Sequence, residues 1–272
     1  PIPNWPGCFS HSKWSTILVV YVDGFKMAGP VRGLKSSWAA IAKVVNMGEP
    51  APTGRYLGCD HAQFDAELDV SKAPCVGLPT FPPHPEGTSS IPCKVLCYNM
   101  TSFIDSCCTN YEDLCGPEFK GYRKAETPFI DEATFSPKED KAGRLAPIAL
   151  KVLMKNLYAA RMSRFDLLRP LCVLAKYVDK WSADCDSRLH KVMCYMNGTK
   201  TYKTYAYCGN RHEDCKLGLF CDADFAGDRK DGKSTSGIFL AVVGSATVVP
   251  ISCISKEQGC VSSSSTESEM VS

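Results

Sequence analysis

The chain has 272 residues, 44% of them hydrophobic and 22% charged, with a net charge of +2. That is room for two domains and a sizeable core, in the balance of an ordinary globular protein and without the strong overall electrostatic footprint of a nucleic-acid binder; a local basic face is compatible with it. Ile17–Val22 and Ile238–Val243 are apolar runs of strand length, and none approaches bilayer thickness, so no membrane span is expected.

In chain order, residues 16–29 predict a β-hairpin. The β-branched and aromatic run Thr16-Ile-Leu-Val-Val-Tyr-Val22 meets Asp23-Gly24, a dipeptide that supplies positive φ for a tight turn, and a second short run follows. The first arm is almost wholly apolar, as in a strand buried on both faces, and its turn carries a carboxylate. Ser36–Val45 predicts a helix with Trp38, Ile41, Val44 and Val45 on one stripe. With Gly54–Cys59 after it, this helix suggests by itself no more than an α/β unit. From Ser71 to Pro92, six prolines among Gly, Ser and Thr predict a linker or extended loop. Tyr98–Tyr111 then reads as a helix, and residues 115–142 as loop.

The chain carries 16 cysteines at irregular spacing behind a Pro-Ile-Pro-Asn-Trp-Pro opening without a secretory signal. Thiols in a reducing compartment are the expectation, and a disulfide framework is the second reading. Cys93, Cys97, Cys107, Cys108 and Cys115 cluster, and Cys93-x-x-x-Cys97 could supply half of a zinc site. No second close pair follows, so half-buried thiols are the default here. A structural zinc, or a cysteine-based metal or redox protein, is the minor reading.

Three helical signals follow between 144 and 198: Ile148–Ala160, Phe165–Lys180, and a helix capped by Ser182 and ended by Asn197-Gly198. Short connections predict antiparallel packing as a small bundle. The C-terminal part changes period. Leu217–Cys221 is a strand ending at Asp222, and Ser236–Val243 and Thr247–Ile254 form a hairpin across Gly244-Ser245. Thr266-x-x-Glu269 fits a capping box that opens a helix, and Glu267 suits the positive helix start. Asp224 and Asp228 fit turn positions. This order places Asp222, from a strand, and Glu269, from a helix, where they could converge on one divalent metal.

Several of these segments resemble parts of the Pol polyprotein of Ty1/copia-type retrotransposons. Tyr21-Val-Asp23-Gly24 resembles the Tyr-Val-Asp-Asp palm hairpin of their reverse transcriptases, with Gly24 in place of the second Asp. Gly54–Cys59 resembles the short Leu-Gly strand after the palm helix. Ala160-Arg-Met-Ser-Arg-Phe-Asp166 is an altered form of the Thr-Arg-Pro-Asp-like turn in the connection region. Asp222-Ala-Asp224-Phe-Ala-Gly-Asp228 is similar to Asp-Ala-Asp-Trp-Ala-Gly-Asp of the family's RNase H, Lys233-Ser-Thr-Ser-Gly237 matches outright, and Ser264-Ser-Thr-Glu-Ser-Glu269 resembles Ser-Ser-Thr-Glu-Ala-Glu. Together these resemblances span most of the chain outside residues 60–140.

The resemblance implies an α+β fold in four segments. Residues 1–70 would be the C-terminal part of a reverse-transcriptase palm (β-hairpin plus helix), 71–143 a Pro/Cys-rich linker and insertion, 144–200 a helical connection, and 201–272 the N-terminal part of an RNase H-like sheet with the start of its first helix. It also implies RNA-directed DNA synthesis and hydrolysis of RNA in an RNA/DNA hybrid. Mg²⁺ would be held by Asp23 in the palm and by Asp222 and Glu269 in the RNase H-like part. Gly24 removes one expected carboxylate; an earlier palm carboxylate and a later RNase H carboxylate fall outside residues 1–272, so incomplete catalysis is the expectation. A working retroelement protein would act in cytoplasmic particles and the nucleus. The alternative is a non-catalytic structural or assembly subunit with protein partners in a larger complex, its truncated domains leaning on neighbours.

Overall fold

The structure is a computed structural model that describes residues 1–69, 71, 87–130, 141–227 and 232–272. It is of the mixed α+β class, with antiparallel pairing throughout the registered strands. The chain divides into two compact units, Pro1–Ala62 and Gln63–Ser272. Most of the predicted 71–92 linker, residues 131–140, and Asp228 lie outside the described residues.

In the smaller unit, β1 (Cys8–His11), β2 (Thr16–Tyr21) and β3 (Gly24–Ala28) form a meander. The predicted hairpin is present, but Tyr21 pairs with Gly24, so the two-residue loop is Val22-Asp23. The positive φ falls on Val22 (+55°), and Gly24 opens β3 instead of forming the turn. Nor is β2 buried on both faces: Ile17 and Tyr21 are exposed. The helix α1 (Val31–Ile41) starts five residues before its predicted onset, immediately after Pro30, and ends before the exposed Val44 and Val45. Gly33 sets that position, because a Cβ there would lie 2.1 Å from the Trp14 carbonyl oxygen. One turn later the buried Ser37 hydroxyl meets Thr16 Oγ1 at 2.9 Å. The Leu-Gly pair read as part of a strand is a turn, with positive φ at Leu57 and Gly58, joining β4 (Arg55–Tyr56) to β5 (Cys59–Asp69).

The larger unit takes the second half of β5 and adds β6 (Ser90–Asn99), then the helices α2 (Thr101–Cys115), α3 (Ala146–Met162), α4 (Leu168–Ala175) and α5 (Ala183–Gly198). The strands β7 (Thr204–Cys208), β8 (Lys216–Asp224), β9 (Thr235–Gly244) and β10 (Thr247–Glu257) follow, and α6 (Ser265–Val271) closes the chain. Its sheet runs β5-β6-β7-β10-β9-β8. Helices form at all three expected places in the 144–198 region, but the one expected over Phe165–Lys180 is α-helical only over Leu168–Ala175, with 3₁₀ turns on either side, and the Ser182 hydroxyl caps α5 by accepting the Cys185 amide. They pack with α2 around Ile104, Leu153, Leu171, Leu189, Met193 and Met196, each essentially inaccessible. Burial of side chains of this size, at roughly 1.5–3 kcal/mol each, is what makes this layer the main core.

Arg164, in the turn after α3, is 2% exposed yet fully answered. Its guanidinium donates to both Asp166 carboxylate oxygens at 3.0 and 2.7 Å and to the Thr199 carbonyl and hydroxyl at 3.0 and 2.8 Å. Tyr195 donates its hydroxyl to the same carboxylate at 2.9 Å. The turn after α3 is thus an internal clamp between the end of α3 and the end of α5.

Candidate functional site

Among the described strands β8 is an edge, paired with β9 alone. Its side chains alternate between two faces. Phe220, Asp222 and Asp224 share one, opposite Phe239, Gly237 and Thr235 of β9. Phe220 and Phe239 are 6.0 Å apart by ring centroid, and Phe165 meets Phe239 edge-on at 6.2 Å. Together with Arg169 of α4 these residues border an open cleft of about 510 Å³. Asp224 does not point freely into it. Arg169 donates to Asp224 Oδ2 at 2.9 Å, and the turn folds so closely under the same carboxylate that a Cβ at Gly227 would sit 2.2 Å from it. Asp222 is an exposed residue bordering the cleft.

Glu269 reaches β8 from α6, in a different manner from a metal ligand. Its Oε1 accepts the Ala223 amide at 3.3 Å, and Ser272 Oγ donates to the Asp222 carbonyl at 2.9 Å. The end of the chain therefore touches the backbone of β8 on both sides of the Asp222–Ala223 peptide, through Glu269 and Ser272. Its cap is two residues earlier than the expected Thr266-x-x-Glu269 box. Ser264 Oγ accepts the Glu267 amide at 3.2 Å, and Glu267 accepts the Ser263 amide at 2.7 Å. A run of serines offers several N-caps, and the structure uses the one that places Glu267 in the first turn, where the helix dipole favours it.

Lys233-Ser-Thr-Ser-Gly237 has a structural explanation. Ser234, Thr235 and Ser236 are buried, and Gln258, also buried, donates to Ser236 Oγ at 3.1 Å and to the Ser268 carbonyl at 2.8 Å. Ser262 donates to Gln258 Oε1 at 3.3 Å, and the Ser234 hydroxyl accepts the Ala226 amide at 3.1 Å. This polar knot ties the start of β9, the end of β10 and α6 to one another. Lys233 meets Glu257 at 3.3 Å, and Lys176 of α4 pairs with the same carboxylate.

Asp222 and Glu269 thus belong to neighbouring elements, while Asp23 stands on the exposed hairpin loop of the smaller unit. Among the described residues no three His, Cys, Asp or Glu side chains form a group that could hold a metal ion. Asp222 with a Glu269 engaged on a backbone amide does not amount to the donor set of a Mg²⁺ centre.

The cysteine cluster is likewise used for packing. Cys93, Val95 and Cys97 alternate as the buried positions of β6, so the Cys-x-x-x-Cys spacing is the period of a strand that the sequence reading left as linker. Cys107 and Cys108 are buried on α2, and burial pushes their thiols up to about 12 and about 11. Burial also raises the Cys93 and Cys115 thiols. These groups stay protonated near neutrality and act as small apolar side chains, the reverse of what thiolate ligation needs. No disulfide forms among the described cysteines.

Sequence reasoning missed Arg169, Gln258 and the Arg164 clamp. A basic residue in a helix and a glutamine between strand and helix carry no local signal. In the sequence, Arg164-Phe-Asp166 shows no more than a turn. Comparison of the chain with family models, curated proteins and solved structures finds no match. No helix among the described residues is long and apolar enough to cross a membrane.

Proposed function

We propose that this chain derives from the Pol polyprotein of a Ty1/copia-type retrotransposon, joining palm, connection and RNase H-like segments, and that it is catalytically incomplete as it stands. The observation that carries the reading is the order of chemistry along the last three strands and helix. Asp222 lies on β8, the Lys-Ser-Thr-Ser-Gly run leads into β9, and Glu269 on α6 returns to the strand of Asp222. An RNase H-like site would draw its first carboxylates from a strand and a helix in that order. Incompleteness rests on Gly24 in the hairpin, on the Arg169 pairing of Asp224, and on Glu269 being held by the Ala223 amide. The ancestral activities on this reading are RNA-directed DNA synthesis and Mg²⁺-dependent hydrolysis of RNA in an RNA/DNA hybrid. Sequencing the genomic DNA on both sides of the coding segment tests the origin. An Asp-bearing strand motif upstream and a further Asp-bearing strand downstream, intact or decayed, are expected; flanks unrelated to Pol would remove the reading.

A second reading, a non-catalytic assembly subunit, is favoured by one observation. The face of β8 opposite the acidic side chains presents Leu217 and Leu219 at 72% and 64% exposure, continued by Leu240 and Val242 of β9 in register. A contiguous apolar sheet face of this kind marks a partner surface. Sedimentation of the purified chain decides: self-association or solubility only with a partner fits a subunit, whereas a monodisperse, cooperatively unfolding monomer counts against it.

A further inference from the structure

A second cleft, of about 700 Å³, opens in the larger unit between the end of α2, the segment that follows it, and the first half of α5. It shares no residue with the cleft beside β8, and its volume is that of a small-molecule site. Among the described residues five cations and three carboxylates line it, an excess of positive charge whose location bears on what it can bind.

The carboxylates are all engaged. Glu118 pairs with Arg144, and Glu126 with Lys124 at 3.0 Å. Asp186 accepts the Arg144 and Leu145 amides at 2.7 and 3.0 Å and the Trp181 indole at 2.7 Å. Lys191 donates to the Phe129 carbonyl at 2.9 Å. Lys120 and Arg123 remain, and among the described residues neither has an acidic partner.

The wall behind them is polar and apolar in turn. His190 sits between the Tyr111 hydroxyl, 3.2 Å from Nδ1, and Cys194 Sγ, 3.5 Å from Nε2. Cys194 also accepts the Arg123 amide at 3.3 Å, which ties the cation-bearing segment to α5. Burial, reinforced by Arg123 and Lys120, lowers the proton affinity of His190, so the imidazole is neutral at pH 7. Phe119 and Leu145 supply apolar surface beside it.

We propose that this cleft binds a small phosphate monoester, with Lys120 and Arg123 on the phosphate and the apolar part of the molecule against Phe119 and Leu145. A guanidinium and an ammonium lining one cleft suit the oxygens of a phosphate, and the described carboxylates around them are engaged elsewhere. The site is independent of the Pol-derived reading, since it uses none of the acidic or hairpin residues.

The test is an NMR titration of the full chain with phenyl phosphate, inorganic phosphate and benzoate, following Arg123 and the His190 ring. Phenyl phosphate is expected to give saturable shifts at both and to bind about tenfold more tightly than inorganic phosphate, because its ring is removed from water. Its negative charge raises the His190 titration midpoint. Lys120→Gln with Arg123→Gln, both at exposed positions, weakens that binding about tenfold or more while leaving the remaining amide spectrum in place. The proposal is overturned by the absence of saturable shifts, by binding that survives the double substitution, by benzoate binding more tightly than phenyl phosphate, or by equal affinity for phenyl and inorganic phosphate.

Discussion

Around Arg164 a buried charge is matched: a guanidinium that is 2% exposed holds Asp166, whose own side chain reaches solvent, Thr199 and, through Asp166, Tyr195. Along β8 the carboxylates lie near water, one paired with Arg169 and one bordering an open cleft, on a strand with a single neighbour. Both regions belong to the larger unit, and they put charge to opposite uses. The first depends on its charges for folding. The second carries its acidic side chains at an exposed strand, where substitution is expected to cost less. The difference teaches that a motif's legibility and a residue's energetic weight are separate properties.

Four experiments break or sharpen that contrast. Asp166→Ala strands a buried guanidinium, and a loss of about 3–5 kcal/mol is expected in urea unfolding monitored by circular dichroism. A loss below about 1 kcal/mol would show that Thr199 alone suffices. Gln258→Ala leaves Ser236 and the Ser268 carbonyl without their shared donor, and about 1–3 kcal/mol is expected from the same measurement, with α6 loosened in hydrogen exchange. Glu269→Gln keeps an acceptor for the Ala223 amide, so its cost stays below about 1 kcal/mol, and Asp222→Asn falls within about 0.5 kcal/mol. A large loss in Asp222→Asn would give the acidic strand a structural weight that this account denies it.

The smallest effect is a pH dependence. The folded His190 binds its proton less readily than the unfolded chain, whose imidazole titrates near 6.5. Between that value and the lower folded midpoint the unfolded state holds more protons, so stability is full above about pH 6.5 and falls as pH drops through this window. His61, lowered chiefly by burial and then by Lys26, acts in the same direction in the smaller unit. Replacing His190 by Gln should flatten the part of the slope that belongs to the larger unit. An unchanged slope would assign the effect elsewhere.

The helices of 144–198 and the last three strands were legible because their apolar periods run uninterrupted. Leu150, Leu153 and Leu157, then Leu167, Leu171 and Leu174, then Leu189, Val192 and Met196 recur at helical spacing, and Ile238–Val243 is an apolar run of strand length. Three sheet members were not. β5 carries Asp60, His61, Gln63, Asp65 and Glu67 along its length, so its strand character comes from pairing and not from composition. β6 contains Pro92, and its inward cysteines imitate ligand spacing. β7 is five residues long, too short to show a period. At the acidic block the sequence showed which elements carry Asp222 and Glu269. It could not show that Glu269 turns to the Ala223 amide or that Arg169 takes Asp224, because those partners are distant in the chain.

On the proposed Pol origin, Asp222 and Glu269 keep the order of a nuclease site but not its activity. Incubating the purified chain with a labelled RNA/DNA hybrid and Mg²⁺, beside Asp222→Asn, tests it most directly. The account predicts intact RNA in both samples. Mg²⁺-dependent cleavage by the unmodified chain that disappears in Asp222→Asn would contradict it.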